Sequence, residues 1–261
     1  FPYCVRQDMR SGAVTVYCPL LPDGSLPYWR ALIEFARLSG SEGFPDSCKR
    51  ANGMALKRML HGIVRATGDR PELLLVNSYG RIRQRDWWPG ISDSGLESGP
   101  LSYGPTGYEE PLGLAGSKLR ILRIRSGLNG EIPDWFTDEV AAGGADDGTV
   151  PNRRDKQGLF KMDGYFLALA PRPGDAQYKW SARGSKYDSP TAAFCEKINE
   201  YCLLSPGGEA EALASVKYAE ALRGCMVQLY KNDMRVNLPA PLHLAEQVEE
   251  YIWDWELTGR R

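Results

Sequence analysis

The fold of this chain is decided by the stretch Asn237-Leu-Pro-Ala-Pro-Leu-His-Leu-Ala-Glu246, which runs on to Glu249-Glu250-Tyr251-Ile252. Its two prolines fix an extended entry, because each locks its own φ and biases the preceding residue away from helix. A helix is predicted to start near Pro241, since the apolar residues that follow recur at helical spacing. In that register Glu246 and Glu250 share one face. The simplest interpretation is an amphipathic helix whose acidic face is solvated.

Length and charge set the limits for the rest of the chain. The 261 residues suffice for one large domain or two small ones, and the sequence starts at Phe1 without a Met, so we expect it to be part of a longer polypeptide. The formal net charge is −1. This charge argues against non-specific electrostatic binding of nucleic acid by the whole surface, but it allows a local basic groove.

The cysteine and histidine content argues against structural zinc and against a disulfide framework. Six cysteines are dispersed without a Cys-x-x-Cys pair, and there are only two histidines. No signal peptide stands at the visible start, and no apolar run approaches membrane-spanning length. The sequence therefore predicts a soluble, cytoplasmic protein in a reducing compartment, with no membrane partner.

Taken in order, the patterns predict an α/β mixed sheet flanked by helices. Strands are expected at 13–17, 72–77, 118–125 and 164–170, and the apolar run Glu72–Asn77 is interpreted as a central strand buried on both faces. Helices are expected at 28–38, 49–66, 190–202 and 209–230. The first of these helices should turn four residues inward: Trp29, Leu32, Ile33 and Phe35. Residues 90–116 are rich in Gly, Ser and Pro and are interpreted as a flexible, exposed insertion.

Basic residues cluster at four places, each with a structural alternative. Arg81, Arg83 and Arg85 precede Trp87 and Trp88, which suits phosphate neutralisation beside base stacking, although both tryptophans also suit a core. The second group, in strand 118–125, includes Arg123 and Arg125; it suits phosphate contacts or an edge strand protected by charge. The basic face of helix 49–66 is either solvated or a phosphate contact. The fourth cluster is formed by Arg153 and Arg154.

From Lys49 to the C-terminus the chain resembles the PIWI domain of Argonaute-type proteins. The resemblance lies in the Pro-Ala-Pro helix with an acid after Leu-Ala, the Arg125-Ser-Gly127 loop, the segment from Asn152 to Phe160, and their order. It implies an RNase H-like domain over 49–261, preceded at 1–48 by the end of a MID-like module or a linker. Leu-Pro-x-Pro-Leu-His-Leu-Ala followed by Glu-Glu-Tyr-Ile is most similar to the prokaryotic PIWI-RE family.

The resemblance also implies where an RNase H-like catalytic site would stand. Such a site holds two divalent metals, Mg²⁺ or Mn²⁺, with three or four carboxylates. Here Asn77 and Ser126 replace two of the expected aspartates, and Glu246 is the one acid left, as a weak metal ligand. Metal-dependent cleavage is therefore expected to be lost or very weak. His243 is interpreted as a buried, hydrogen-bonded helix residue in preference to a general base.

PIWI-RE proteins have a characteristic Arg and Glu, for which Arg123 or Arg125 and Glu246 or Glu250 are the candidates. The resemblance implies a module that binds guide RNA or DNA with its target, as an RNA–DNA hybrid or R-loop, in bacterial defence against plasmids or phage. Helicase and nuclease proteins would be its partners. Two alternatives stay open: an active nuclease that uses Asp86, Asp163 or Asp175 with Glu246, and a protein-interaction domain.

Overall fold

The computed structural model describes most of the chain, and the statements below concern that part of it. The described residues are 1–41, 49–67, 70–78, 87–93, 101–105, 107–114, 116–126, 158–161, 164–169, 198–205, 207–224 and 238–252.

Strands come first along the chain and helices close it. Within the described residues the strands are β1 Cys4–Gln7, β2 Val14–Tyr17, β3 Ser25–Pro27, β4 Glu72–Asn77, β5 Ser102–Tyr103, β6 Glu110–Pro111, β7 Leu119–Ser126, β8 Gly158–Lys161, β9 Phe166–Leu169 and β10 Ile198–Leu203. The helices are α1 Tyr28–Ser41, α2 Lys49–Thr67, α3 Glu209–Gly224 and α4 Ala240–Glu249. Pro241 lies in the first turn of α4, where its missing N–H breaks no helical hydrogen bond. The predicted start of this helix is confirmed.

A five-stranded mixed sheet forms the centre, in the order β4-β7-β10-β9-β8. β4 runs parallel to β7, and the other neighbours are antiparallel. Because successive side chains of a strand alternate between faces, β7 presents Leu122 and Ile124 to one face and Ile121 and Arg123 to the other. The predicted fold class, a mixed sheet flanked by helices, is confirmed.

Each face of the sheet has its own core. On the first face Leu122, Ile124 and Tyr201 pack with Val216 of α3 and Leu242 of α4. The second face is covered by Leu56 and Leu60 of α2 and by buried residues of the described parts of segment 87–114. Burial of these side chains is the main favourable term that holds the layers together.

Residues 1–41 pack against the second half of α4. Val16 and Phe35 share a core cluster with Val248, and the hydroxyls of Tyr3 and Tyr28 donate to the carbonyls of Ala245 at 2.8 Å and Leu244 at 2.9 Å. Arg6 also pairs with Glu72 of β4 at 2.6 Å. The N-terminal strands therefore help to place the closing helix. The domain boundary predicted at residue 48 stays a prediction.

Two expectations and one of the alternatives about burial and position are wrong. β4 is not a central strand, because among the described strands it pairs with β7 alone and so lies at one edge. Strand β7 is not an edge, since it pairs with both β4 and β10. On α1, Trp29 is 59% and Ile33 62% exposed, because the inward face is formed by Ala31 and Phe35.

The segment predicted as an exposed, flexible insertion packs as part of the core where it is described. Trp88, Ile91, Tyr103 and Leu112 are buried with their neighbours against α2 and the sheet. A Cβ on Gly90 would lie 2.5 Å from the carbonyl oxygen of Ser102, so the glycine permits this close approach. The expected exposure was wrong, because Gly and Pro mark turns but do not exclude buried apolar residues between them. The expected flexibility stays a prediction.

The helix predicted over 190–202 is also wrong in its described part. Residues Ile198–Leu203 form β10, which pairs with β7 and β9. Its alternation places Tyr201 on the first face and Glu200 on the second, where each finds a buried partner. No helix in the described part of the chain is long and apolar enough to cross a membrane.

Candidate functional site

Two of the predicted site residues meet at one edge of the sheet. Strands β4 and β7 are parallel, and Asn77 pairs with Ile124, two residues before Ser126. The N–H of Ser78 continues the pairing with a 3.0 Å hydrogen bond to the carbonyl of Ile124. Since carboxyl ends of parallel strands lie side by side, Asn77 and Ser126 occupy neighbouring positions where α/β proteins place ligands.

Glu246 and His243 lie on α4 with partly open surroundings. The Glu246 side chain is 53% exposed, and its Oε2 is 4.0 Å from His243 Nδ1. The imidazole is 30% exposed, and its Nε2 lies 3.5 Å from Gln247 Nε2. His243 is therefore not the buried residue that its apolar neighbours predicted. Glu250 follows at the C-cap of the same helix and is exposed.

The donor set at this edge does not fit two divalent metals. Asn77 and Ser126 offer a neutral amide and a neutral hydroxyl, whereas Mg²⁺ and Mn²⁺ pairs are held by carboxylates. Across the described ranges, no three His, Cys, Asp or Glu residues group closely enough to hold an ion. The weak metal role of Glu246 thus stays a prediction, and we derive no chemical step through a metal.

On the second face, Arg123 and Arg125 belong to an ion-pair cluster with two acids. Arg125 donates from Nε and Nη2 to the two oxygens of Glu200, each at 2.7 Å, and Arg123 Nη2 donates to Glu200 at 3.1 Å. Asp93 bridges the two arginines: its Oδ1 is 2.8 Å from Arg123 Nη1, and its Oδ2 is 2.8 Å from Arg125 Nη1. Arg123 Nη1 also donates to the carbonyl of Ile91 at 2.8 Å. The four side chains carry equal numbers of positive and negative charges.

These arginines are shielded from solvent in a way the sequence did not predict. The Arg123 and Arg125 side chains are 4% and 11% exposed. Burial raises the pKa of Asp93, but hydrogen bonds and charge from both arginines outweigh it and hold that pKa below its ordinary value. The buried partner Glu200 was missed because 190–202 was predicted as helix; the strand alternation that puts Glu200 opposite Arg125 was the available signal.

A second buried polar network lies on the first face, beside Ser126. Asn199, which pairs with Ser126 in the sheet, donates from Nδ2 to Tyr201 Oη at 3.4 Å. The Tyr201 hydroxyl donates to Glu220, whose other oxygen lies 2.5 Å from Arg223 Nη2. Burial raises the pKa of Glu220 more than Arg223 lowers it, and burial with the Glu220 charge raises the pKa of Tyr201. Sequence reasoning missed this network as well.

Glu220 makes stability depend on pH in a direction that can be measured. Burial holds the pKa of its carboxyl above 4.5, the ordinary value for a glutamate, in the folded chain. The folded state therefore binds more protons in this range, and the free energy of unfolding should fall as pH rises from about 4.5 through the raised pKa. We expect Glu220→Gln to flatten this decline in urea unfolding midpoints measured across the range.

The control for that experiment is Glu34→Gln. Hydrogen bonds from Arg37 lower the pKa of Glu34, so this carboxylate contributes above its unfolded pKa and its contribution is lost as pH falls. Its replacement should change only the acid end of the profile. Parallel wild-type and Glu220→Gln profiles above pH 4.5 would contradict the assignment.

Other predicted site residues lie outside the described part of the chain. They are the basic residues Arg81, Arg83, Arg85, Arg153 and Arg154, and the alternative catalytic acids Asp86, Asp163 and Asp175. The described neighbours Trp87 and Trp88 are 5% and 1% exposed, so they form core and are not open to base stacking.

Comparison with models of protein families gives a match. A family model described as the RNaseH domain of pPIWI_RE matches residues 1–254. No curated protein matches the chain, and no solved structure matches it.

Proposed function

The chain belongs to the family of the RNaseH domain of pPIWI_RE, and from this premise we propose that it binds guide and target nucleic acid without cutting either strand. The ligand is an RNA–DNA hybrid or R-loop, with guide RNA or DNA. Its setting is prokaryotic defence against plasmids or phage, with helicase and nuclease proteins as partners.

The paired ends of β4 and β7 carry this proposal. An RNase H-like nuclease needs carboxylates there to neutralise two metals beside a phosphodiester. Asn77 and Ser126 are neutral, and their positions lie two residues apart in the strand register, so neither position offers a carboxylate. An edge of that kind repels a phosphate backbone less than a carboxylate cluster does, while it lacks the ligands for hydrolysis.

A basic face of helix α2 offers positive charge that could neutralise the phosphates of a nucleic-acid backbone. α2 contains no Asp or Glu in its 19 residues. Arg58 and Arg65 are exposed and have no ion-pair partner among the described residues, whereas Lys57 pairs with Glu110 at 2.5 Å and Arg50 lies over Tyr108. Exposed arginines two turns apart on one face suit sequence-independent phosphate contacts.

The test is binding of a 5′-phosphorylated guide, alone and annealed to its target, with Mg²⁺ or Mn²⁺ present and the strands analysed on a gel. We expect affinity for the hybrid to fall linearly with the logarithm of salt concentration, because bound phosphates release counterions. Both strands should stay intact at every metal concentration. Cut strands would instead support the active nuclease with acids outside the described residues.

Two double variants distinguish phosphate contacts made by α2 from a general effect of net charge on binding. Arg58→Gln with Arg65→Gln removes two charges from α2, and Arg10→Gln with Arg30→Gln removes two exposed charges from the N-terminal part. The first pair should lower the salt slope by about one unit per lost contact, and the second should leave it unchanged. Equal effects from both pairs would contradict a contact through α2.

One observation favours a protein-interaction domain as the second candidate. Trp29 and Ile33 are exposed on adjacent turns of α1, and large exposed apolar side chains are frequent at protein interfaces. No hybrid binding at low salt, together with salt-insensitive association with a partner protein, would favour this function.

A further inference from the structure

The Asp93 carboxylate lies between two arginines and accepts from both, as the oxygens of a phosphate group would. Its Oδ1 is 2.8 Å from Arg123 Nη1, and its Oδ2 is 2.8 Å from Arg125 Nη1. A carboxylate held by two guanidiniums uses the donors that would hold two oxygens of a phosphodiester. The geometry is thus already arranged for an oxyanion with oxygens directed to two donors.

The two acids of the cluster differ in accessibility. Glu200 is 6% exposed and receives two hydrogen bonds from Arg125, so it fixes that guanidinium from the protein interior. Asp93 is 58% exposed and lies on the outer side of the cluster. An exposed carboxylate can turn into water with little desolvation cost, whereas Glu200 would have to leave two buried cations.

The charge balance favours an incoming anion once Asp93 has moved. Two arginines and two acids sum to zero, and without Asp93 the remaining three side chains carry a net +1. Arg123 Nε is in addition a buried donor with no hydrogen-bond partner in the described part of the chain. The backbone around Asp93 need not move, because Trp88 and Ile91 anchor it in the core.

We propose that Arg123 and Arg125 form a binding site for one backbone phosphate of the bound nucleic acid, and that Asp93 occupies this site until the phosphate displaces it. The inference rests on the proposed function and adds to it a named phosphate site and its internal competitor. Asp93 lowers the affinity of the free chain for any backbone, because each binding event must first break its two ion pairs.

The experiment compares Asp93→Asn with Asp23→Asn in hybrid binding across a salt series. Asp23 is an exposed aspartate at a positive φ of 54°, which asparagine adopts readily, so the control makes the same chemical change at a residue outside the ion pairs of the described part of the chain. Asp93→Asn should bind the hybrid roughly tenfold more tightly than wild type, with a salt slope steeper by about one unit. Asp23→Asn should match wild type.

A further variant shows whether the gain in hybrid affinity depends on the arginines. Adding Arg125→Gln to Asp93→Asn should remove the tenfold gain. Thermal unfolding checks that each variant is folded, and Asp93→Ser repeats the comparison if Asp93→Asn is not. Persistence of the gain without Arg125 would overturn the proposed site.

The outcomes separate this inference from the function it rests on. If wild type binds and Asp93→Asn matches Asp23→Asn, the inference is wrong and the proposed function stands. If wild type fails to bind but Asp93→Asn binds, Asp93 blocks the site as proposed. If neither chain binds at any salt concentration, both proposals are wrong.

Discussion

Replacing Glu200 by Ala is expected to lower the free energy of unfolding by about 3–5 kcal/mol. The reason is electrostatic: Arg123 and Arg125 are 4% and 11% exposed, and among the described residues they would keep only the exposed Asp93 as a charged partner. A buried charge without its counter-charge costs far more than the lost contact itself. Urea unfolding of the variant beside wild type measures the loss.

A triple variant distinguishes uncompensated charge from lost packing. Arg123→Met, Arg125→Met and Glu200→Leu together remove the buried charges while keeping apolar volume, and they should recover most of the stability lost in Glu200→Ala. The surface control is Glu34→Ala, whose pair with Arg37 is exposed and screened by solvent and should contribute much less to stability than the buried cluster. A Glu200→Ala loss no larger than that of Glu34→Ala would contradict the buried-cluster assignment.

Replacing Trp88 by Ala is expected to cost about 3–5 kcal/mol of unfolding free energy. Trp88 is 1% exposed, its Nε1 donates to the carbonyl of Ser102 at 2.7 Å, and it belongs to the core over the second face of the sheet. The substitution opens a cavity and leaves the Ser102 carbonyl without this donor. This result would support a structural role for the described residues 87–93 and 101–105, of which 90–93 and 101–105 were predicted from the sequence alone to be exposed.

Trp29→Ala is the matched control, since it deletes the same side chain from an exposed position. Trp29 is 59% exposed on α1, so the change should stay within about 0.5 kcal/mol. Urea unfolding of the two variants under identical conditions gives the comparison. Similar losses at the two tryptophans would contradict the burial difference on which the fold of this segment rests.

The sequence correctly predicted the elements that are long enough to show several periods of the apolar pattern, or whose boundaries are marked by proline. α2, α3, β4, β7 and α4 stand within a few residues of their predicted ranges where the structure describes them. A short segment such as Ile198–Leu203 was mispredicted, because six residues contain too few periods to separate strand from helix. Its pairing with β7 and β9 decided the outcome.

The positions of Asn77 and Ser126 also show what the sequence predicted and what the strand pairing decided. The sequence located each at the end of an apolar run, and the resemblance assigned both to one site. Their proximity comes from the parallel pairing of β4 with β7, with Asn77 opposite Ile124, two residues before Ser126. Sequence reasoning also placed β4 centrally, whereas among the described strands it pairs with β7 alone. An apolar run indicates that a strand is buried but does not show how many strands pair with it.

By itself, the sequence determined the closing helix, the mixed α/β class and the family, because these depend on local periodicity and on the order of motifs along the chain. The tertiary structure alone decided the electrostatics of the site. Arg123 and Arg125 have no acid beside them in sequence, and their partners Asp93 and Glu200 lie at least 30 positions away along the chain. Coulomb energy depends on distance through space, so a row of cations on one strand becomes a neutral, buried cluster only when the sheet brings the acids to it.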